Sequence, residues 1–247
     1  MSDNITLIQY DLETTGTDPT KARPVQIGAR MEIYDDWQRR SEGTILSTLV
    51  NPEEPIPEGA SNVHGITDEA VAHAPAISWA FWPLTLMLEQ LRTNYPKTLL
   101  IAGYNVEAYD NVVVEYCCKG LNFNRDYQTL DVLNLLMRYR PGLESHKLGE
   151  AHLALTGEEL IGAHGALQDC IGTGKILETL CQEEKKSPLT FAKELKTPQV
   201  YTKMPIGKHK GQEPKSIPRG WAQWMRNHAG GMRPDLKRTV DWILDER

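Results

Sequence analysis

The sequence predicts an α/β protein in which helices flank a mixed sheet, followed by a small C-terminal module. Strand patterns come first and then alternate with helical patterns, and the composition changes near residue 183. Such an order of elements is typical of a mixed sheet covered by helices. At 247 residues, the chain has room for one medium domain and one small one.

Four segments have the pattern of strands. Residues 25–34 alternate between apolar and polar side chains, and this period of two indicates a half-buried strand. Residues 4–10 and 44–50 are predicted as two further strands. The apolar run at 98–104 is predicted as a short central strand, because such strands are buried on both faces.

Helical patterns fill most of the remaining sequence before residue 183. We predict helices at 77–94, 110–119, 130–139, 145–155 and 166–182. The charged segment 183–198 is predicted as a linker or linker helix between a domain at 1–182 and a module at 199–247.

The composition is that of an ordinary globular protein, with 40% hydrophobic and 24% charged residues. No run approaches the ~20 apolar residues that a transmembrane helix needs, and the N-terminus lacks the pattern of a signal peptide. We therefore expect a soluble cytoplasmic protein with no membrane partner. The four cysteines have no zinc-ligand spacing, and we interpret them as buried free thiols.

The net charge of -6 conceals an acidic body and a basic tail. Residues 185–247 contain 14 basic and 6 acidic residues, whereas residues 1–184 contain 13 basic and 27 acidic residues. A basic tail of this kind indicates contact with nucleic acid. The alternative is a tail that is merely well solvated.

Two acids lie at the end of the first predicted strand, in the sequence YDLETTG. Asp11 and Glu13 are two residues apart, so their side chains leave the same face of the strand. Two adjacent carboxylates repel each other unless a cation lies between them, which favours a divalent metal. Thr14 and Gly16 then turn the chain; Gly16 can adopt positive φ and lets a nucleotide approach the backbone. The alternative is an exposed acidic strand end.

A third acid, Asp110, follows the apolar strand at 98–104 and begins a predicted helix. Asn105 and Tyr109 precede it and are expected to position the backbone or to flank a base. The alternative for Asp110 is a helix cap or a partner of the helix dipole.

His164 and Asp169 form the last part of the candidate site. They are five residues apart, which on one continuous helix would separate them by ~140° in azimuth. They converge if His164 lies on a loop before the helix and Asp169 on the inner face of the helix. A histidine there can take a proton from an attacking water near physiological pH.

With these motifs in order, residues 5–182 resemble the DEDDh family of 3′→5′ exonucleases, which have a ribonuclease H-like fold. The first motif is matched at Asp11 and Glu13, and the third, HxAxxD, at His164 and Asp169. The middle motif, GYNxxxYD, is similar to the exonuclease I type, with Tyr109 where phenylalanine is commoner.

The resemblance implies a cofactor, a mechanism and a substrate contact. Two Mg²⁺ ions are implied, for which Mn²⁺ would substitute, and the metal ligands would be the four acids Asp11, Glu13, Asp110 and Asp169. His164 would act as the general base. His64, in the sequence NVHGIT, would help to hold the 3′-terminal nucleotide. We interpret Asp131 as a capping residue or a residue behind the ligands, and not as a ligand.

The C-terminal segment 204–225 combines the sequence GKHKG with an aromatic helix, and it resembles a small module appended to exodeoxyribonuclease X. We expect Lys208 and Lys210 to contact DNA phosphates, together with Lys215 and Arg219. Three residues are predicted to form the core of this module: Trp221, Trp224 and Met225. The alternative is that an aromatic side chain stacks on a base.

These observations favour a metal-dependent 3′→5′ exonuclease that acts on the 3′ ends of DNA, preferentially single-stranded. One alternative is an exonuclease of the same family that trims RNA. The 2′-OH is the group by which such an enzyme would distinguish RNA from DNA. The other is a catalytically silent nucleic-acid-binding protein, which would need none of the five site residues.

Overall fold

A computed structural model describes residues 4–94, 98–118 and 122–246. The chain divides into two compact units. The first consists of Met1–Val132 and Leu148–Ala192, and the second of Leu133–Lys147 and Lys193–Arg247. The second unit therefore includes an internal segment at 133–147 that the sequence analysis does not assign to it. The predicted boundaries at 182 and 199 stay a prediction.

The first unit contains a five-stranded mixed sheet with the order β3-β2-β1-β4-β5. Its strands are β1 (Ile5–Thr14), β2 (Pro24–Asp35), β3 (Gln38–Leu49), β4 (Leu99–Gly103) and β5 (Gln128–Asp131). β1 pairs antiparallel with β2 and parallel with β4, and β4 pairs parallel with β5. The predicted mixed sheet flanked by helices is thus confirmed.

Among the described residues, nine α-helices begin in the first unit, and two of them, α6 and α9, end in the second. They are α1 (Glu58–His64), α2 (Asp68–Val71), α3 (Ile77–Asn94), α4 (Asp110–Cys117), α5 (Phe123–Asp126), α6 (Val132–Tyr139), α7 (Leu148–Thr156), α8 (Ala166–Glu184) and α9 (Pro188–Leu195). The predicted helices at 77–94 and 166–182 are confirmed as α3 and α8. Residue 119, the predicted end of α4, lies outside the described residues.

Strand β1 is buried on both faces, which fixes the position of the site. On one face, Ile8, Tyr10 and Leu12 pack with α3 and α4 in the main apolar core. The opposite face carries Gln9, Asp11 and Glu13, because side chains alternate along a strand. The polar face of a buried strand therefore becomes the base of the site.

The prediction missed strand β5 and shortened β3. Residues 130 and 131 belong to β5, where the sequence favoured a helix over 130–139, because a four-residue strand is too short to show a period. Residues 38–43 extend β3 at the edge of the sheet, where the polar sequence QRRSEG hides the strand pattern. The helix predicted at 145–155 is observed at 148–156, and the predicted linker contains α9.

The second unit has its own apolar core and a buried ion pair. The helices α10 (Arg219–His228) and α11 (Pro234–Asp241) enclose a cluster that includes Met204, Ile217 and Val240. Arg138 donates to both carboxylate oxygens of Asp235, at 2.7 and 2.6 Å, and to the carbonyl of Glu194 at 2.6 Å. This ion pair joins segment 133–147 to the C-terminal part of the same unit. The unit is completed by a 3₁₀ turn at Pro214–Ser216 and a π turn at Trp242–Glu246.

All four cysteines are free, as predicted, and Cys117 is the one that is only half-buried. Among the described residues, we find no helix with the length and apolar character required to cross a membrane.

Candidate active site

Three carboxylates converge where β1 meets α8. One oxygen from each of Asp11, Glu13 and Asp169 lies within 4.8 Å of the other two. Asp11 and Glu13 leave the same face of β1, and Asp169 comes from the first turn of α8. Residues 158 positions apart in sequence thus present their oxygens to one small space, as a shared divalent cation requires.

The close approach of α8 to the sheet depends on β2. Gly28 pairs with Asp11, and a Cβ at Gly28 would lie 2.4 Å from the backbone nitrogen of Leu167. The side-chain oxygen of Gln26, which pairs with Glu13, accepts a hydrogen bond of 3.0 Å from Ala166 N at the start of α8. Gly28 therefore supplies the space and Gln26 supplies the anchor, and together they hold Asp169 over Asp11. Neither residue stands out in the sequence, because the alternation of β2 is the only pattern visible there.

Asp110 is the fourth carboxylate, and it is only 3% exposed. Because β4 runs parallel to β1, the loop after β4 brings the first residue of α4 next to the end of β1. Oδ1 of Asp110 accepts a hydrogen bond of 3.1 Å from Leu12 N, between the two acids of β1. Asp110 is thus bonded to the strand that carries Asp11 and Glu13. Its role is therefore not limited to capping its own helix.

Burial and mutual repulsion raise the pKa of these carboxyl groups. Burial raises the pKa of Glu13 to about 7, and the charge of Asp169 adds to this effect. Burial raises the pKa of Asp110 to about 8. The pKa of Asp11 is raised by burial first and then by the charges of Asp110, Asp169 and Glu13. Such a cluster is costly without a cation, and its all-oxygen donors suit Mg²⁺ or Mn²⁺.

His164 lies on the loop before α8, as the sequence predicted, and Asp169 lies on the helix. His164 is exposed, and its φ of 67° lies in the left-handed region, which residues other than glycine seldom adopt. His164 N donates a hydrogen bond of 3.3 Å to Oδ1 of Asp169. This bond ties the histidine loop to one of the three clustered carboxylates.

A cavity of about 510 Å³ adjoins the carboxylates. Its lining includes five residues that the sequence analysis selected: Glu13, Thr14, Gly16, His64 and Tyr109. Its apolar wall contains Leu12, Pro57, Ala60 and Val63, and Val63 is 56% exposed. Burial lowers the pKa of His64, whose Nδ1 accepts a hydrogen bond from Ile66 N at 3.1 Å. The cavity therefore offers an apolar wall and a polar edge beside the acids.

Tyr109 connects the loop before α4 to the loop after β1. Its hydroxyl lies 2.5 Å from Oγ1 of Thr14 and donates to the carbonyl of Gly16. Gly16 does not use the positive φ that glycine permits, and a Cβ there would meet no atom within 4 Å. The turn is instead closed by these hydrogen bonds. Asn105, at φ 65°, shapes the loop through its carbonyl, which accepts from Tyr109 N at 3.0 Å.

Two further residues, Asp131 and Thr15, form hydrogen bonds next to the site residues. Asp131 is fully buried, and its Oδ2 accepts a hydrogen bond of 3.2 Å from Glu107 N. Asp131 is not among the three clustered carboxylates, and its interpretation as a non-ligand stays a prediction. Oγ1 of Thr15 donates to Glu54 at 3.0 Å and accepts from Arg23 N at 3.0 Å, which braces the turn after β1.

Lys208 and Lys210 belong to the second unit, in a loop bounded by Gly207 and Gly211, both at positive φ. Lys208 is exposed, and the ammonium of Lys210 donates to the carbonyl of Glu144. Trp221 and Met225 pack against the core of this unit, as predicted. Trp224 was predicted to join them, and this was wrong, because its side chain is 54% exposed on α10.

Comparisons with known proteins agree with this geometry. A family model described as "Exonuclease" (RNase_T) matches residues 8–177. An uncharacterized exonuclease of Escherichia phage 186, CP81, is 31% identical over 185 residues, which cover 71% of this chain and 88% of the phage protein. A DNA polymerase III subunit epsilon-like protein of Rhodobacter capsulatus is 43% identical over 76 residues, or 31% of this chain and 10% of that protein.

Exodeoxyribonuclease 10 of Escherichia coli is 22% identical over 211 residues, 81% of this chain and 84% of that protein. Exonuclease I of E. coli in complex with a dA16 oligonucleotide has a similar fold, with a TM-score of 0.57 and 22% identity over 78% of this chain and 43% of its own. Exonuclease X in complex with 5′ overhanging duplex DNA gives a TM-score of 0.52 at 20% identity, covering 76% of this chain and 98% of its own. The chain spans a tenth of the epsilon-like protein and less than half of exonuclease I.

Proposed function

The chain belongs to the exonuclease family, and from that premise we propose a specific reaction for it. It removes nucleotides from the 3′ ends of DNA, preferentially single-stranded, and releases nucleoside 5′-monophosphates. The observation that carries this proposal is the convergence of Asp11, Glu13 and Asp169 within 4.8 Å, beside a cavity that can receive a nucleotide.

Two divalent cations, Mg²⁺ or Mn²⁺, fit the donor set of the site. One would be held by Asp11, Glu13 and Asp169, and the other by Asp11 and Asp110. Bound cations supply Lewis-acid stabilisation of the charge that develops on the phosphoryl oxygens. The raised pKa values of Glu13 and Asp110 support this assignment, because a bound cation would offset both the loss of hydration on burial and the repulsion between the carboxylates.

His164 is the general base of the proposed reaction. It takes the proton from the water that attacks the scissile phosphate, and its exposed position lets it return the proton to solvent afterwards. Its backbone N–H is bonded to Asp169, so the loop is held at the edge of the carboxylate cluster. This hydrogen bond ties the backbone of the proposed base to one of the clustered acids.

The terminal nucleotide occupies the cavity. The apolar wall that includes Leu12 and Val63 contacts the base, and the polar edge formed by Thr14, His64 and Gly16 contacts the sugar and the phosphate. Tyr109 and Asn105 contribute indirectly, since they hold the backbone that forms this edge. Lys208 and Lys210, which belong to the second unit, contact phosphates of the DNA. The positive net charge of this unit suits a polyanion.

DNA is favoured as the substrate by the relatives whose names specify it, exodeoxyribonuclease 10 and the exonuclease I complex with dA16. The two alternatives make different predictions. An RNA-trimming enzyme would shorten RNA and leave DNA intact. A silent binding protein would bind oligonucleotides and cleave none. Binding alone does not require a cluster of acids with raised pKa values, which is energetically costly.

The test is a time course with a 5′-labelled single-stranded DNA oligonucleotide and its RNA counterpart, with Mg²⁺ and with EDTA. We expect a ladder that shortens from the 3′ end of DNA, appears with Mg²⁺ and disappears with EDTA. Asp11→Asn should abolish it, whereas Glu115→Gln, an exposed change on α4, should leave it unchanged. Cleavage of RNA alone, or a ladder that survives Asp11→Asn, would refute the proposed reaction.

A further inference from the structure

Helix α10 of the second unit presents a stacked aromatic pair at its surface. The side chain of Trp224 is 54% exposed. The rings of Trp224 and His228 lie nearly parallel, with an interplanar angle of 14° and centroids 5.5 Å apart. Nδ1 of His228 is 2.9 Å from the carbonyl oxygen of Trp224 and donates to it, which fixes the imidazole beside the indole.

The fold of the second unit does not account for this pair. The core contacts of α10 are made by other residues: Ala222 is fully buried, and Trp221 and Met225 pack against the same apolar cluster. A large indole outside that cluster adds little to the core. Its outward position is therefore available for a ligand.

The chemistry around the pair fits a nucleobase. Gln223 and Asn227 lie on the same exposed side of α10 and are joined by a hydrogen bond of 3.1 Å, so amide donors and acceptors accompany the aromatic rings. Helix α10 contains no carboxylate. Aromatic rings that stack on bases, next to neutral or basic side chains, are the recurring elements of single-strand binding sites.

The charge of the second unit favours a polyanion over an apolar protein partner. Its residues include 15 Lys and Arg but only 7 Asp and Glu, a net charge of +8. The loop 207–211 is joined to α10, because the ring of His209 packs edge-on against Trp221 with centroids 5.0 Å apart. Lys208 therefore extends from a loop that packs on α10 one helical turn before Trp224.

We propose that Trp224 and His228 form a stacking site for a base of single-stranded DNA, with Lys208 contacting a neighbouring phosphate. The choice of DNA rests on the proposed function, whereas the stacking site rests on the geometry of α10. The proposal assigns the second unit a direct role in holding the strand through its bases, which is distinct from a general attraction through its charge.

The test is binding of a fluorescein-labelled dT20 oligonucleotide by the full chain in EDTA, measured by anisotropy over a series of salt concentrations. Trp224→Ala should weaken binding by between about fivefold and about a hundredfold, the effect of losing one stacked base. The slope of log K against log salt should stay unchanged, because no charge is lost. Lys208→Ala should instead reduce that slope by about 0.7.

Two control variants separate stacking from a general effect. Trp224→Phe should retain most of the affinity, because phenylalanine still offers a ring. Trp79→Ala, which removes a tryptophan that is 72% exposed on α3 of the first unit, should bind as the wild type does. The oligonucleotide should also quench tryptophan emission less in Trp224→Phe than in the wild type.

Equal affinity and equal quenching in the wild type and the Trp224 variants would overturn the stacking site. A loss of affinity in Trp79→Ala equal to that in Trp224→Ala would also overturn it. If the wild type still shortened DNA with Mg²⁺ after either of these results, the proposed function would stand. A wild type that binds dT20 through Trp224 but hydrolyses no oligonucleotide would support the stacking site and refute the proposed function.

Discussion

Replacing Asp110 with Asn should stabilise the metal-free protein while abolishing its activity. The carboxyl group is 3% exposed, and burial raises its pKa from 3.8 to about 8. Asn has the same shape, and its side-chain oxygen can still accept the hydrogen bond from Leu12 N. The substitution therefore removes the ionisation of the group and preserves the contact that holds it.

The sign follows from proton linkage. A carboxyl group with a raised pKa binds its proton more tightly in the folded state than in the unfolded state. Its contribution to stability is therefore fully present below the unfolded pKa and is lost as the pH rises through the folded pKa. Between about pH 4 and about pH 8, Asp110 should lower the free energy of unfolding by about 1.4 kcal/mol per pH unit, and Asn should remove this slope.

At pH 7 in EDTA, the free energy of unfolding of Asp110→Asn should be higher than that of the wild type by on the order of 4 kcal/mol. The reason is that about three pH units separate pH 7 from the pKa of the group in the unfolded state. At pH 4 the two proteins should be equally stable. Urea titrations at both pH values would measure the difference, with Glu115→Gln on the exposed side of α4 as a control that changes stability by less than about 0.5 kcal/mol. An Asp110→Asn protein that is no more stable than the wild type at pH 7 would refute the linkage argument.

Three further substitutions test other parts of the structure. His164→Ala should lower the rate of hydrolysis by ~10²–10⁴-fold while calorimetry shows Mg²⁺ binding preserved, and an equal loss of metal binding would contradict the role of a general base. Gly28→Ala should displace α8 from β2 and weaken Mg²⁺ binding at least tenfold, since the new Cβ would lie 2.4 Å from Leu167 N; wild-type affinity would show that α8 adapts. Arg138→Met should destabilise the second unit by ~3–5 kcal/mol in thermal unfolding, because it leaves the buried Asp235 without its partner, and an unchanged transition would argue against that contribution.

Sequence alone could predict the carboxylates, because their motifs reflect local geometry. The spacing of Asp11 and Glu13 fixes their common face, and the five-residue separation of His164 and Asp169 requires a loop before the helix if both are to reach one site. The same reasoning predicted the five-stranded core only in part. Strand β5 has four residues, too few to display a period, and its place beside β4 depends on parallel pairing that no local pattern reveals.

The residues that assemble the site were less visible than those that carry its chemistry. Gln26 and Gly28 read as ordinary positions in an alternating strand, although they hold the start of α8 at the sheet. Trp224 was misplaced for a related reason. Aromatic residues at helical spacing usually indicate a core, and only the packing of α10 shows which of them face outward.

The two faces of β1 explain how the chain can hold a cluster of repelling acids. Carboxylates with raised pKa values destabilise the metal-free fold, and this cost is concentrated where Asp11 and Glu13 of β1 meet Asp110 of α4 and Asp169 of α8. The other face contributes Ile8, Tyr10 and Leu12 to an extensive apolar cluster. Because the backbone of β1 is held by that cluster and by strands on both sides, the acids cannot relax apart. A cation that binds there gains affinity from the repulsion it relieves, so the same rigidity that destabilises the metal-free site should strengthen metal binding.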